Sequence, residues 1–263
     1  MTPTNRPPVV LLHALPLDSS MWDTQARRLR ARGHPVLTYD QRGFGGTPLG
    51  TDPPSLDLVA DDLARRMDRR GMTRAVVVGA SMGGYVAMAF LRRHRARVLG
   101  LGLLSTRGTA DTAKAAAERR GFAERILDDS LRDQLVARTT PMLLGATTRA
   151  EAPDTVARVV SLAAAAAPEA VAWAQRAIAA RPGAMDDLRT TDVPALVVAG
   201  EEDELVSLHE ARHLTSTLPQ GRLVTVPRAG HLPPVEAPQR TTDALVELLD
   251  TVGAAERNGA DAC

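Results

Sequence analysis

Short, unbroken apolar runs punctuate the chain at residues 9–12, 36–39, 75–78, 98–104, 195–199 and 222–226. They are rich in Val and Leu and lack the apolar–polar alternation of a half-exposed strand. Runs of this kind suit a parallel sheet whose two faces are both covered by helices. Between them, residues 21–32, 56–70, 82–93, 205–218 and 238–251 carry apolar positions at helical spacing. Ser55, with Asp57 in the turn behind it, makes an N-cap for the second of these helices. Strand and helix in alternation predict an α/β fold, a doubly wound, mostly parallel sheet of about six strands with right-handed crossovers.

The alternation stops after the fourth run. From 107 to 190 no strand pattern occurs, and Ala, Arg and Glu dominate at 109–120, 124–138, 153–166 and 169–180. These residues predict a helical cap inserted into a core made of 1–106 and 191–253. The Ala tract at 163–167 reads as helix, because Ala is the strongest helix former. Residues 254–263 read as a disordered tail.

The chemistry starts where the third run meets a helix, at Gly79-Ala80-Ser81-Met82-Gly83. Gly-x-Ser-x-Gly between a strand and a helix is the pattern of a nucleophile elbow. The Ser has to stand on a tight turn with its hydroxyl clear of the sheet, and the residues two before and two after must be small to let the turn close. The turn leaves the Met82 N–H at a helix N-terminus, free to donate to a developing oxyanion. A dinucleotide or phosphate loop is the bland alternative, but neither G-x-G-x-x-G nor a P-loop Lys is present.

A serine hydroxyl needs a base. Of the six His, His231 stands in a loop after the last strand, where open α/β sheets build their sites. His34 and His94 lie among Arg residues at helix ends and read as solvated. The acid that orients the base comes from Gly200-Glu201-Glu202-Asp203-Glu204, after the fifth strand. Asp203 is the choice, with Glu201, Glu202 and Glu204 as alternatives, and it completes the order Ser, Asp, His. The loop after the first strand, His13-Ala14-Leu15-Pro16, supplies the other oxyanion donor. Pro16 has no N–H, so Leu15 is the candidate. His13 reads as a brace for this loop. Together with Trp173, the one large aromatic of the cap, His13 is also a candidate substrate contact.

These segments, together with the Tyr39-Asp40-Gln41-Arg42-Gly43-Phe44-Gly45 turn, resemble the α/β-hydrolase superfamily from Val9 to about residue 249. Met21-Trp22-Asp23 and the cap sequence resemble 3-oxoadipate enol-lactonase and related small esterases. The resemblance implies a serine hydrolase that cleaves a small ester, lactone or enol-lactone, with no cofactor and no metal. Two departures stand out. The family usually has Gly where Ala14 stands, which would strain the loop if that position needs positive φ. It also usually opens with a β-hairpin, whereas Val9 lies close to the first residue. Either the sheet is trimmed or the true start lies upstream, and a trimmed sheet exposes an edge that a second copy could cover; monomer and homodimer are both open.

Bulk properties exclude more than they select. A net charge of +1 gives no general attraction to nucleic acid or an anionic membrane. No apolar run reaches bilayer length, no secretory signal is visible, and the one cysteine, Cys263, has no internal partner. A cytoplasmic enzyme is the expectation. His209-Glu210-Ala211-Arg212-His213 matches H-E-x-x-H, but it falls on the polar side of an amphipathic helix and reads as coincidence rather than a zinc peptidase site. Haloperoxidase, perhydrolase or C–C bond hydrolase chemistry on the same triad, and a silent binding fold, remain as alternatives. Arg107, Arg138, Arg149 and Arg176 are candidates to meet a substrate carboxylate.

Overall fold

The computed structural model describes residues 6–260. Six strands form one sheet in the order β2-β1-β3-β4-β5-β6. They are β1 (Val9–Leu12), β2 (Val36–Tyr39), β3 (Ala75–Ala80), β4 (Val98–Leu104), β5 (Ala195–Gly200) and β6 (Gly221–Val226). Every neighbouring pair is parallel. The crossovers are α1 (Asp23–Ala31), α2 (Leu56–Asp68), α3 (Met82–His94), a block of helices after β4, and α10 (Leu208–Thr217). The block comprises α4 (Ala113–Arg125), α5 (Asp129–Thr139), α6 (Ala146–Glu151), α7 (Pro153–Ala164), α8 (Pro168–Ala180) and α9 (Met185–Arg189). The short α11 (Pro233–Glu236) and the long α12 (Pro238–Ala260) close the chain. No single helix among the described residues is long and apolar enough to cross a membrane.

The unbroken apolar runs have the cause proposed for them. Successive strand residues point to opposite faces, and both faces are buried. Val10, Leu12 and Val77 join the core beneath α2, α3 and α8. Val9, Leu11, Val76 and Val78 join a second core beneath α1 and α12. Only β2 and β6, at the sheet edges, are partly exposed along their length.

Helix boundaries depart from the sequence pattern where side chains intervene. The helix expected from 205 begins at Leu208, because Ser207 caps it in a capping box with Glu210. The carboxylate of Asp203 also holds the preceding turn, accepting from Leu205 N at 2.8 Å and Val206 N at 3.0 Å. The predicted boundary between 120 and 124 falls instead at 126–128, where Asp128 accepts from Ser130 N at 2.9 Å and starts α5. The Ala tract does not run through: α7 ends at Ala164 and Pro168 opens α8, since Pro fits a first turn but not a helix interior. The expected disordered tail is corrected as far as it is described. Residues 254–260 continue α12; Ala and Glu are good helix formers, and Glu256 pairs with Arg74 at 3.2 Å. Residues 261–263 lie outside the described residues.

Packing of α12 on the sheet depends on a close approach. A Cβ built on Gly100 of β4 would stand 2.8 Å from Val252 of α12 and 3.1 Å from the Pro194 carbonyl. Gly100→Ala therefore pushes the helix off the sheet and lowers stability by about 1–3 kcal/mol, measurable as a shift in the urea midpoint.

Candidate active site

The carboxyl ends of the central strands converge on one point, and the turn after β3 sets its geometry. Ser81 holds φ 52° and ψ −113°, a region that side-chain-bearing residues rarely adopt and that costs on the order of 1–3 kcal/mol. The turn is this sharp because strand and helix backbones touch. A Cβ on Gly79 would lie 2.1 Å from the Gly83 carbonyl oxygen, and one on Gly83 would lie 2.2 Å from that of Leu12. Neighbours hold the strained residue: Ser81 N donates to Leu104 O at 2.8 Å, and Thr106 Oγ1 donates to Ser81 O at 3.0 Å.

The Ser81 hydroxyl lies 2.8 Å from His231 Nε2. The other ring nitrogen, Nδ1, sits 2.9 Å and 3.0 Å from the two carboxylate oxygens of Asp203. With both oxygens of Asp203 at Nδ1, that nitrogen carries the proton and Nε2 is left to accept from the hydroxyl. Asp203 is fully buried on its side chain. Burial opposes its ionisation, but the hydrogen bond and charge of His231 and the N–H groups of Val206 and Leu205 outweigh it, so its pKa falls below the usual carboxylate range. Its three acidic neighbours go elsewhere. Glu202 accepts from Thr147 N and Thr147 Oγ1 at 2.7 and 2.6 Å, Glu204 pairs with Arg149 at 2.9 Å, and Glu201 is exposed.

A cavity of about 330 Å³ opens over Ser81 and His231, floored by Leu15, Pro16 and Tyr85 and roofed by residues of α4, α8, the end of α5 and the 3-10 turn Thr140–Leu143 that follows it. Among the described residues, the Leu15 and Met82 N–H groups donate to no protein acceptor, and Met82 N stands at the N-terminus of α3. The Ser81 hydroxyl, the His231 imidazole and Leu15 therefore line one cavity, with the Asp203 carboxylate buried behind the imidazole and Met82 N beside Ser81 at the start of α3.

A family model described as the alpha/beta hydrolase fold matches residues 7–238. The chain belongs to the α/β-hydrolase fold family. A thermophilic esterase from Thermogutta terrifontis, solved with malate bound, superposes with TM-score 0.89 at 36% identity, covering 94% of this chain and 90% of that one. The enol-lactonase from Burkholderia xenovorans LB400 superposes with TM-score 0.84 at 26% identity, over 94% of this chain and 92% of that one. A pimeloyl-[acyl-carrier protein] methyl ester esterase of Aromatoleum aromaticum is 31% identical over 94% of this chain and 99% of its own length.

In this α/β hydrolase several sequence expectations need correction. Ala14 is not strained: among the described residues, those with a side chain and positive φ are Ser81, Ser105 and Arg228. Ala14 fills a buried position, and its N–H points at Met21 Sδ, 3.2 Å away. Neither His13 nor Trp173 lines the cavity. Gln41 N donates to His13 Nε2 at 3.0 Å, so the proton sits on Nδ1 and is shared with Ala14 O at 3.0 Å. The ring also meets Phe44 edge-on at 5.3 Å, which makes His13 a brace between two loops. Trp173 is buried with its Nε1 donating to Asp52 O at 2.9 Å. His34 is buried rather than solvated, against Pro7 O at 3.0 Å, and His94 pairs with Asp61 at 2.8 Å. His209 and His213 are exposed on α10. Of the four arginines named for a carboxylate, only Arg107 reaches the cavity; Arg138 and Arg176 are exposed, and Arg149 is held by Glu204.

Two contributors gave no sequence signal. Glu236 accepts from Gly230 N at 2.9 Å and Leu232 N at 3.0 Å, on either side of His231. Its second oxygen accepts from Gly145 N and Thr148 Oγ1, both at 2.7 Å. One carboxylate thus ties the His231 loop to the helical block. Arg119, on α4, lines the cavity with Gln175, yet nothing in its spacing separates it from the many other arginines.

Removing Glu236 strands buried donors on both sides. Glu236→Ala should lower stability by roughly 2–4 kcal/mol, read as a fall in thermal midpoint. His13 makes a second prediction. Burial is the main force on its pKa and pushes it below the ordinary value, against opposing contributions from Ala14 O, Asp40 and Asp18. The unfolded chain takes up a proton there below about pH 6.5, and the fold resists it. The stability His13 contributes is therefore whole above that pH and is lost as pH falls through the folded pKa. Urea titrations from pH 7 to 5 should show the decline, and His13→Gln should flatten it.

Proposed function

We propose that this α/β hydrolase cleaves small carboxylic esters or lactones by acyl transfer to water through a Ser81 ester. The observation that carries the reading is the unbroken chain Asp203–His231–Ser81, with 2.9 Å and 2.8 Å links, its Ser81 end in a cavity beneath the helical block. His231 Nε2 takes the Ser81 proton as Oγ bonds to the substrate carbonyl carbon. The resulting oxyanion accepts from the Leu15 and Met82 N–H groups, each worth roughly 3 kcal/mol of transition-state stabilisation. The protonated imidazole, stabilised by the ionised Asp203, then donates to the departing alkoxide or enolate oxygen as the C–O bond breaks. Water repeats the sequence on the acyl ester, with His231 again as base, and releases the acid and free Ser81. The esterase, methyl ester esterase and enol-lactonase named among similar proteins support this choice of bond.

Hydrolysis of a short p-nitrophenyl ester tests it. Ser81→Ala should lower kcat by a factor of about 10³ to 10⁶ with the fold intact, because Ala keeps the Cβ and the same backbone turn and removes only the nucleophile. Asp203→Asn should lower kcat by about 10⁴ through loss of the correct imidazole tautomer. A fluorophosphonate should label Ser81 in the parent protein and nothing in the variant. Near-parent activity in Ser81→Ala removes the reading.

A further inference from the structure

The cavity above Ser81 is charged on one wall. Arg107 and Arg119 line it, and among the described residues no Asp or Glu does. Arg107 is answered by Glu210 at 3.2 Å and by the Leu205 carbonyl. Arg119 belongs to a cluster at the edge of the cavity. Its Nε lies 2.7 Å from one oxygen of Asp111, and Arg181 Nη1 lies 2.8 Å from the other. The Asp111 side chain is 2% exposed and that of Arg181 5%. Arg181 is used up: it donates to Ile178 O at 2.9 Å and Thr109 O at 3.1 Å, and its guanidinium lies 3.9 Å over the Tyr85 ring.

Three guanidiniums therefore meet two carboxylates, Asp111 and Glu210, and one positive charge is left over. Arg119 is the partly exposed member of the cluster and the one that faces the cavity. Gln175 shapes what it offers. Its Oε1 accepts from Arg119 Nη1 at 3.0 Å, which leaves its amide N–H groups as donors at the same wall. A wall of N–H donors carrying one surplus charge fits an acceptor-only monoanion, and a carboxylate meets a guanidinium fork in that way. A phosphate dianion would overbalance it. Arg119 and Gln175 line the same cavity as Ser81, with the Tyr85 ring between the cluster and the nucleophile's helix.

We infer that Arg119, positioned by Asp111 and oriented with Gln175, determines specificity by binding a carboxylate remote from the scissile bond. The preferred substrates are then half-esters, or lactones bearing one free acid group. This rests on the ester-hydrolase reading above, and the test separates the two.

Monomethyl succinate, glutarate and adipate are compared by pH-stat with methyl butanoate, pentanoate and hexanoate, which match them in length without the charge. At one chain length or more the half-ester should have a kcat/KM about tenfold higher or better. Gln175→Glu places a carboxylate against Arg119 without uncovering Asp111 and should cut that ratio by about tenfold. Arg119→Gln should do the same, with circular dichroism to show that it folds. Binding of the three half-esters to Ser81→Ala is measured by calorimetry, with and without Gln175→Glu, and should be lost in the double variant. Equal slowing of charged and neutral esters, or no charge preference and no binding, overturns the carboxylate site and leaves the Ser81 reading standing. Half-ester binding that Gln175→Glu abolishes, in a protein that cleaves no ester, keeps the site and overturns the hydrolytic reading instead.

Discussion

The backbone contact between β3 and α3 is the constraint from which the site follows. Strand and helix meet so closely that a single methyl at Gly79 or Gly83 would overlap a carbonyl oxygen. Closing the turn that tightly forces Ser81 to positive φ. The same turn lifts its hydroxyl out of the sheet and leaves the Met82 N–H unclaimed at the helix N-terminus. The strain is local and affordable because β3 is central, buried on both faces and paired with β1 and β4. An edge strand could not hold a residue at this conformation as firmly, since fewer neighbours would determine it.

Asp203, His231 and Leu15 arrive on loops, and each loop is pinned by a different polar contact. Asp203 sits after β5 in a turn that its own carboxylate organises, through Leu205 N and Val206 N. His231 sits after β6 in a loop clamped at both sides by Glu236. The Leu15 loop is braced by His13, whose two nitrogens join it to Gln41 and Ala14. The three anchors share one logic: a buried polar group satisfies backbone donors or acceptors that a loop cannot pair by itself. Because Glu236 also holds Gly145 and Thr148, the helices over the cavity are coupled to the imidazole loop through one side chain.

The helical block brings charge as well as cover. Asp111 is buried only because two guanidiniums compensate it. Burial opposes its ionisation, and the charges of Arg119 and Arg181 outweigh that, so it stays ionised below the usual carboxylate range. A buried cluster of this kind adds little net stability, since desolvation offsets most of the Coulomb attraction. Its consequence is directional: it fixes where Arg119 stands relative to the cavity.

The sequence by itself determined the sheet, its parallel character, the elbow and the order of the three polar residues. Those features are written in local patterns: unbroken Val and Leu runs, a five-residue motif with two obligatory glycines, and a His and an acid in loops after successive strands. Asp203 could be favoured over Glu201, Glu202 and Glu204 but not separated from them by sequence, because four adjacent carboxylates differ only in where the turn aims them. Arg107 was named from the sequence and does line the cavity, but Arg119 was hidden, since it is set apart by Asp111 and Gln175, the latter 56 residues away along the chain. Trp173 was drawn toward the substrate by residue type and belongs to the scaffold, while His13, read both as a brace and as a substrate contact, holds its loop and lines no part of the cavity. Composition and spacing record which groups are near in sequence; burial and hydrogen bonding between distant segments decide what each group can touch, and only the tertiary structure holds that information.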